Sequence, residues 1–191
     1  MSNTNSLPRF HHALRRALGR FGGDRRGLSA VEFATVLPFM LTLYTGSVEL
    51  GEGLSIQYKT TLAARTVADI ASQYTSIDAP TMTSILGAAS TVVAPYSAAN
   101  LTVIVSEITT DAKGNGTITW SAAQNGNAHT VGQAVSLPPN LQIPSISLLW
   151  GEVTYPYTPS IGYAITGTIS IYESSYFYPR LSTCVSFGGA C

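Results

Sequence analysis

The sequence predicts an α+β protein in which a long N-terminal transmembrane helix continues into a helical spine packed on an antiparallel β-sheet. Three observations predict it. Residues Leu28 to Val48 form an apolar run of 21 residues with one charge, Glu32. Leu50 to Tyr74 keeps apolar side chains at spacings of mostly three or four, with no proline between it and that run. From Leu101 onward, runs of branched and aromatic residues alternate with turn signals and prolines. The chain divides accordingly into a basic leader (1–27), a transmembrane helix (28–49) and an extracytoplasmic α+β domain (50–191).

Charge sets the direction of the span. Up to Gly27 there are six arginines (9, 15, 16, 20, 25 and 26) against one acid, Asp24; from Leu28 on there are four basic residues against nine acidic ones. A basic flank directly before an apolar span predicts a cytoplasmic N-terminus and an outer C-terminal domain. Anionic lipid accounts for the arginines, so a nucleic-acid partner is not expected. Gly19, Gly22, Gly23 and Gly27 interrupt the leader, leaving at most a short amphipathic turn over Phe10–Leu18. The adjacent histidines His11 and His12 do not share a helix face and read as a solvated pair. Charged residues make up only 10% of the chain, against about 25% in a typical soluble domain. That surface, polar without being charged, suits an extracytoplasmic protein or a packed filament subunit better than a cytosolic enzyme.

At about 1.5 Å of rise per residue the apolar run spans roughly 30 Å, the thickness of a bilayer core. An ionised carboxylate there needs a reason. Ser29 as N-cap with Glu32 three positions on forms a capping box, which is one such reason. Pro38 removes a helical donor and should bend the segment. Beyond the span, Leu50, Leu54, Tyr58, Leu62, Ala63, Val67, Ile70 and Tyr74 predict one buried stripe, with Gln57, Lys59, Arg65, Asp69 and Gln73 opposite. The two halves make one nearly continuous helix from about Ser29 to Tyr74.

After a break at Thr75–Pro80, apolar positions Met82, Ile85, Leu86 and Ala89 predict a short helix that Pro95 ends. LTVIVSEI (101–108) and GTITWSA (116–122) flank the turn signal DAKGNG and predict a hairpin, with Ile118 and Trp120 on one face. Residues 123–145 read as loop, with His129 alone in it and facing solvent. SLLWGEVTYPY (147–157) predicts a third strand, limited to an edge or end position by Pro156. A fourth strand is expected around Tyr163 to Tyr172. The aromatic cluster Trp150, Tyr155, Tyr157, Tyr163, Tyr172, Tyr176, Phe177 and Tyr178 suits a small core or an interface.

Cys184 and Cys191 lie seven apart near the C-terminus. Outside the cytoplasm an intramolecular disulfide closing CVSFGGAC is plausible; two free thiols or an intermolecular bond are the alternative. The spacing is not that of a metal site. No catalytic motif or phosphate loop is present, and Glu107, Asp111, Glu152 and Glu173 read as scattered, solvated surface acids, the alternative being that two of them meet across the sheet as paired carboxylates. Neither an enzyme nor a cofactor is expected.

One stretch carries a family resemblance. Arg25, Arg26 and Gly27, followed by a glutamate at the fifth position after the glycine, resemble the class III signal of type IV prepilins. GLSAVEFATVLPF followed by VELG is more closely similar to the TadE-like family, pseudopilins or minor pilins of the Tad (Flp-type, tight-adherence) pilus system. Gly27, the pair Glu32–Phe33, and Pro38 six residues after the glutamate form the specific set. WSAAQNG, VSLPPNL, GEVTYPYTP and YFYPR extend the likeness more loosely, although many relatives carry Arg-Pro-Arg where this chain has Tyr178, Pro179 and Arg180.

The resemblance implies a pilin-like fold and cleavage after Gly27 by a prepilin peptidase. It places the new amino group of Leu28 near Glu32. It implies other pilins or pseudopilins, the inner-membrane Tad assembly platform and the lipid bilayer as partners, and a single-pass inner-membrane protein with a periplasmic outer domain that either stays in the membrane or is carried into an extracellular pilus. The alternative is an uncleaved bitopic envelope protein whose outer domain binds a partner protein or a surface polysaccharide.

Overall fold

The computed structural model describes residues 26–162 and 166–191. Arg25, the histidine pair, the turn expected over Phe10–Leu18, and Tyr163 lie outside the described residues. The first element is helix α1, Arg26–Ser72, a single run of 47 residues with Pro38 inside it. Contacts divide the chain into two units between Ser47 and Val48.

Up to Ser47, α1 carries its own polar groups. The hydroxyls of Thr35, Thr42 and Thr45 donate to the carbonyls of Val31, Pro38 and Leu41 at 2.8–2.9 Å, and Ser47 donates to Tyr44 at 2.7 Å. Back-bonding of this kind satisfies hydroxyls where no water is at hand. Helix start and capping differ from expectation: α1 begins at Arg26, so Ser29 is an interior residue and forms no capping box with Glu32.

From Val48 onward, α1 packs with the remaining elements. After β1 (Ser76–Ile77), helix α2 runs Ala79–Val93. Asp78 caps it by accepting the N–H of Thr81 at 2.9 Å, and these hydrogen bonds hold its carboxyl below the usual range. Then follow β2 (Thr102–Thr110), β3 (Gly116–Gln124), β4 (Ala134–Val135), a 3₁₀ turn at Pro139–Leu141, β5 (Ser147–Tyr157), β6 (Ile169–Phe177) and β7 (Ser186–Phe187). Five strands form one antiparallel sheet in the order β4–β3–β2–β5–β6. β1 and β7 pair in parallel beside it.

The expected hairpin is β2–β3. Asp111 folds its turn, accepting the N–H groups of Lys113 (2.7 Å) and Asn115 (2.9 Å). Ile118 and Trp120, however, do not share a face. The register shifts between Glu107 and Ile108, so that Glu107 opposes Trp120 and Ile108 opposes Ile118, leaving Thr119 as the extra residue of a bulge. Trp120 joins the core under the helices, and Ile118 joins a second cluster with Ile108, Leu137 and Leu148. Within residues 123–145, expected to be loop throughout, β4 adds a short edge strand. The last strand begins at Ile169, later than expected, and β6 lies at the sheet's edge. Pro156 does sit at a strand end, past Thr154, the last β5 residue paired with β2.

The face α1 presents to the sheet also differs. Its buried side chains are Ile56, Thr60, Ala63, Ala64, Val67, Ala68, Ala71 and Ser72; of the expected stripe Ala63 and Val67 are buried and Ile70 packs against the core, whereas Leu50, Leu54 and Tyr58 are 66%, 57% and 70% exposed and Leu62 is also outside. Small residues win because the approach is close. Gly151 lies in β5 under the helix, and a Cβ there would fall 2.6 Å from the Ala64 carbonyl oxygen and 2.9 Å from the Ala68 Cβ. Bulky leucines on this face would hold helix and sheet apart.

Candidate functional site

Three places carry the residues with chemical potential. The first is the start of α1. Gly27, Leu28, Glu32, Phe33 and Pro38 all lie on the helix and all are exposed. Gly27 sits in the first turn, where backbone N–H groups have no intrahelical partner, so unwinding it into an extended chain loses few hydrogen bonds. Leu28 and Glu32 are four residues apart and therefore share one face. An amino group at Leu28 would stand one turn from the Glu32 carboxylate.

The second is the stretch where α1 enters the outer unit. The Glu49 carboxylate accepts the backbone N–H groups of Ile161 and Gly162, the latter at 3.0 Å. The Tyr157 hydroxyl donates to the Glu49 carbonyl at 3.1 Å. Two glycines allow this: a Cβ on Gly162 would come 2.9 Å from Glu49 Oε2, and one on Gly53 would meet the Tyr157 ring at 3.4 Å. The acidic residue and glycines of VELGEG thus tie the β5–β6 connection to the helix. Beside the clamp lies a groove of about 400 Å³ lined by Leu50, Leu54, Pro159, Ile169 and Ile171 among others.

The third is on the sheet face away from the helices, and it corrects the reading of His129. His129 is not free in solvent. Its Nε2 lies 2.5 Å from Glu152 Oε2, and its ring stacks on Trp150 at 4.9 Å. Trp150 stacks in turn on Tyr176 at 5.8 Å. The Tyr172 hydroxyl donates to Glu152 Oε1 at 2.7 Å; burial first, and then this carboxylate, push its pKa well above the ordinary phenol value. Both oxygens of Glu152 are engaged. Alternation along β5 places Trp150 and Glu152 on one face, but only the fold brings residue 129 to them.

Two of the four acids read as surface residues are buried. Glu152 is 6% exposed and Glu107 is 0% exposed. Glu107 Oε1 accepts the N–H of Val185 at 2.8 Å, while Trp120 Nε1 donates to the Val185 carbonyl at 2.6 Å. Glu107 Oε2 has no partner among the described residues. Burial raises this carboxyl above its ordinary pKa. The pair grips the chain next to Cys184, which is disulfide-bonded to Cys191 with Cα atoms 5.8 Å apart. Glu107 faces the helices and Glu152 the opposite side, so the two do not form a carboxylate pair. Arg180 pairs with Asp69 on α1, and its backbone N–H donates to the Ser72 carbonyl at 2.9 Å. No group of three or more metal-ligating side chains occurs among the described residues.

The apolar part of α1 is long enough to cross a membrane, and none of its most apolar window is buried against the chain. Residues 27–69 match the family model of TadE-like proteins. The TadE-like segment therefore begins at Gly27, contains Glu32, Pro38 and the Glu49 clamp, and ends three residues before α1 does. It leaves the sheet outside the match. No curated protein and no solved structure matches the chain.

Proposed function

We propose that this is a membrane-anchored pseudopilin or minor pilin that takes part in assembling a Tad (Flp-type) pilus for surface adherence. The observation that carries the reading is the overlap of the TadE-like match with an unbroken apolar helix: the helix starts at Arg26 and the match one residue later, at Gly27. In this reading a prepilin peptidase cuts after Gly27 on the cytoplasmic side of the inner membrane, and the outer domain lies in the periplasm. The released amino group of Leu28 pairs with Glu32 of the same or a neighbouring subunit. Opposite charges attract strongly near a low-dielectric boundary, and pairing lowers the cost of a carboxylate in lipid.

The role is non-enzymatic. His129 is engaged by Glu152 and Trp150, and Glu152 by His129 and Tyr172, so these groups serve as a partly exposed polar network on the sheet face. The partners are the prepilin peptidase, other pilins or pseudopilins, and the inner-membrane assembly platform.

Processing is the direct test. Immunoblotting in strains with and without the cognate peptidase should show a shorter chain only where the peptidase is present, and N-terminal sequencing should begin at Leu28. Gly27→Ala should leave the long form in both strains. Glu32→Ala should insert and be cut, yet reduce piliation. An unchanged mass with and without the peptidase overturns the reading in favour of an uncleaved envelope protein.

A further inference from the structure

Residues 180–191 fold into a clasp that joins the helices to the sheet. Arg180 is bound to Asp69 and Ser72 on α1, and Ser186 donates its N–H to the Thr75 carbonyl at 3.0 Å, where β7 pairs with β1. On its other side the clasp meets β2 and β3. Val185 is 0% exposed and belongs to the main core. Its N–H goes to Glu107 on β2 and its carbonyl to Trp120 on β3. Phe187 lies against the Trp120 ring, with centroids 5.4 Å apart.

The disulfide holds this shape together. Phe187 and Ala190 exchange both backbone hydrogen bonds at 3.1 Å around Gly188 and Gly189, whose φ angles are 62° and 85°. Positive φ at both central positions suits a tight hairpin turn, and the Cys184–Cys191 bond closes the open end of that turn. β1 and β7 have only two residues each, and so short a pair is not stable alone. With the bond cut, the clasp is the cheapest part of the second unit to open.

What the clasp covers is Glu107. That side chain is 0% exposed, and its Oε2 has no partner among the described residues. An ionised carboxylate there costs far more than the neutral acid, and burial raises its pKa accordingly. The surrounding charges are engaged elsewhere or face away. On α1, Asp69 pairs with Arg180, Lys59 donates to the Val92 carbonyl, and Arg65 is exposed. β1, α2 and β3 carry no charged side chain. On β5, Glu152 lies on the opposite face, and Tyr155 is well along the strand from Leu149, the residue opposite Glu107. Glu173 on β6 accepts from Gln57. Cys191, with its α-carboxylate, is exposed.

We propose that the Cys184–Cys191 bond and the Glu107 carboxyl form one latch: the intact disulfide holds Val185 over a protonated Glu107, and reduction by a thiol lifts the clasp and releases that proton to water. With glutathione as reductant, the protein disulfide and two glutathione thiols become two cysteine thiols and one glutathione disulfide. Below the ordinary thiol pKa of about 8.5 that exchange is balanced in protons by itself. The Glu107 proton is an additional product. Reduction is therefore favoured as pH rises from the ordinary carboxyl value of 4.5 to the higher value of the closed form. The latch makes this unit easier to open by thiols at neutral pH than in acid.

The test uses the full chain in detergent micelles, equilibrated with glutathione buffers from about pH 5 to about pH 7.5, below the thiol range. Samples are quenched in acid and alkylated, and mass spectrometry counts the free cysteines. The parent's equilibrium constant for reduction should rise about tenfold per pH unit within the window, one proton being released, while that of Glu107→Gln should stay flat. Iodide quenching of the same samples follows Trp120, which lies under Phe187 in the closed form; Trp150, on the other sheet face, contributes equally to both forms. Trp120 should become accessible on reduction, and in the Cys184→Ser, Cys191→Ser protein without any reductant. A flat constant in the parent overturns the latch, whatever the variants do. Equal slopes in the parent and Glu107→Gln assign the proton to another group and overturn it too. So does a Trp120 that stays shielded after reduction, because the clasp then holds without its disulfide.

Discussion

Between Leu28 and Tyr44, α1 leaves every side chain exposed, its leucines, valines and phenylalanines included. Between Ile56 and Ser72 the same helix buries Ile56, Thr60, four alanines, Val67 and Ser72, packs a half-buried Ile70 against the core, and leaves Tyr58 and Leu62 outside. The first stretch packs on nothing among the described residues, and hydropathy selects its residues. The second lies against β5 at Gly151, and distance of approach selects its residues. Within one helix, the intramolecular contact is therefore made mainly by small side chains, with Ile56 and Val67 its larger members.

The sharpest way to break that distinction is to truncate one residue of each kind on neighbouring turns. Ile56 is the large exception on the packed face and is 1% exposed; Tyr58, two residues on, is 70% exposed. Ile56→Ala should destabilise the outer unit by about 2–5 kcal/mol through lost burial and a residual cavity. Tyr58→Ala should stay within about 0.5 kcal/mol. Denaturant titration of the detergent-solubilised chain, followed by tryptophan fluorescence, reads both. Similar losses for the two variants would mean that Tyr58 has a partner within the chain.

Gly151→Ala tests the cause of the distinction rather than its outcome. One methyl group there meets the Ala64 carbonyl oxygen at 2.6 Å, so helix or strand must move. Overpacking of this kind costs about 1–3 kcal/mol. Gly87→Ala is the matched control, since a Cβ at that glycine has nothing within 4 Å, and it should be neutral or slightly stabilising. Equal melting temperatures for Gly151→Ala and the parent would show that close approach does not select the alanine face.

These variants also mark the limit of what the sequence makes legible. The long helix, the body and end of α2, the β2–β3 hairpin and the extent of β5 all follow from local signals, periodicity, turn residues and prolines, whereas α2 starts at Ala79, inside the expected break at Thr75–Pro80. The buried face of α1 does not, because a hydropathy pattern ranks leucine above alanine while the contact with Gly151 ranks them the other way. β6 begins late because the N–H groups of Ile161 and Gly162 are taken by Glu49, a partner more than 100 residues away. His129 reaches Glu152, and Glu107 reaches Val185, only through the folded sheet. Nor does the alternation of Ile118 and Trp120 survive the bulge at Glu107, which a single strand cannot announce. The start of the candidate processing site was legible because its residues are contiguous: Gly27, Glu32 and Pro38 form a pattern that needs no fold.

Each of the two units holds one glutamate in an apolar setting, and they pose the same problem in different solvents. Glu32 stands exposed on the helix. Glu107 lies inside the second unit with one oxygen bonded to Val185 and the other without a partner among the described residues, and burial raises its pKa. A carboxyl whose folded pKa lies above its unfolded value contributes its full share of stability below the unfolded pKa, near 4.5, and loses it as pH rises through the folded value. The parent protein should therefore lose stability across that window. Glu107→Gln keeps the acceptor for Val185 without a titrating group, so its unfolding midpoint should change less with pH and should overtake that of the parent toward neutrality. Denaturant titrations at a series of pH values measure the crossing, and parallel pH profiles for the two proteins would show that Glu107 stays ionised in the core, balanced by a group yet to be found.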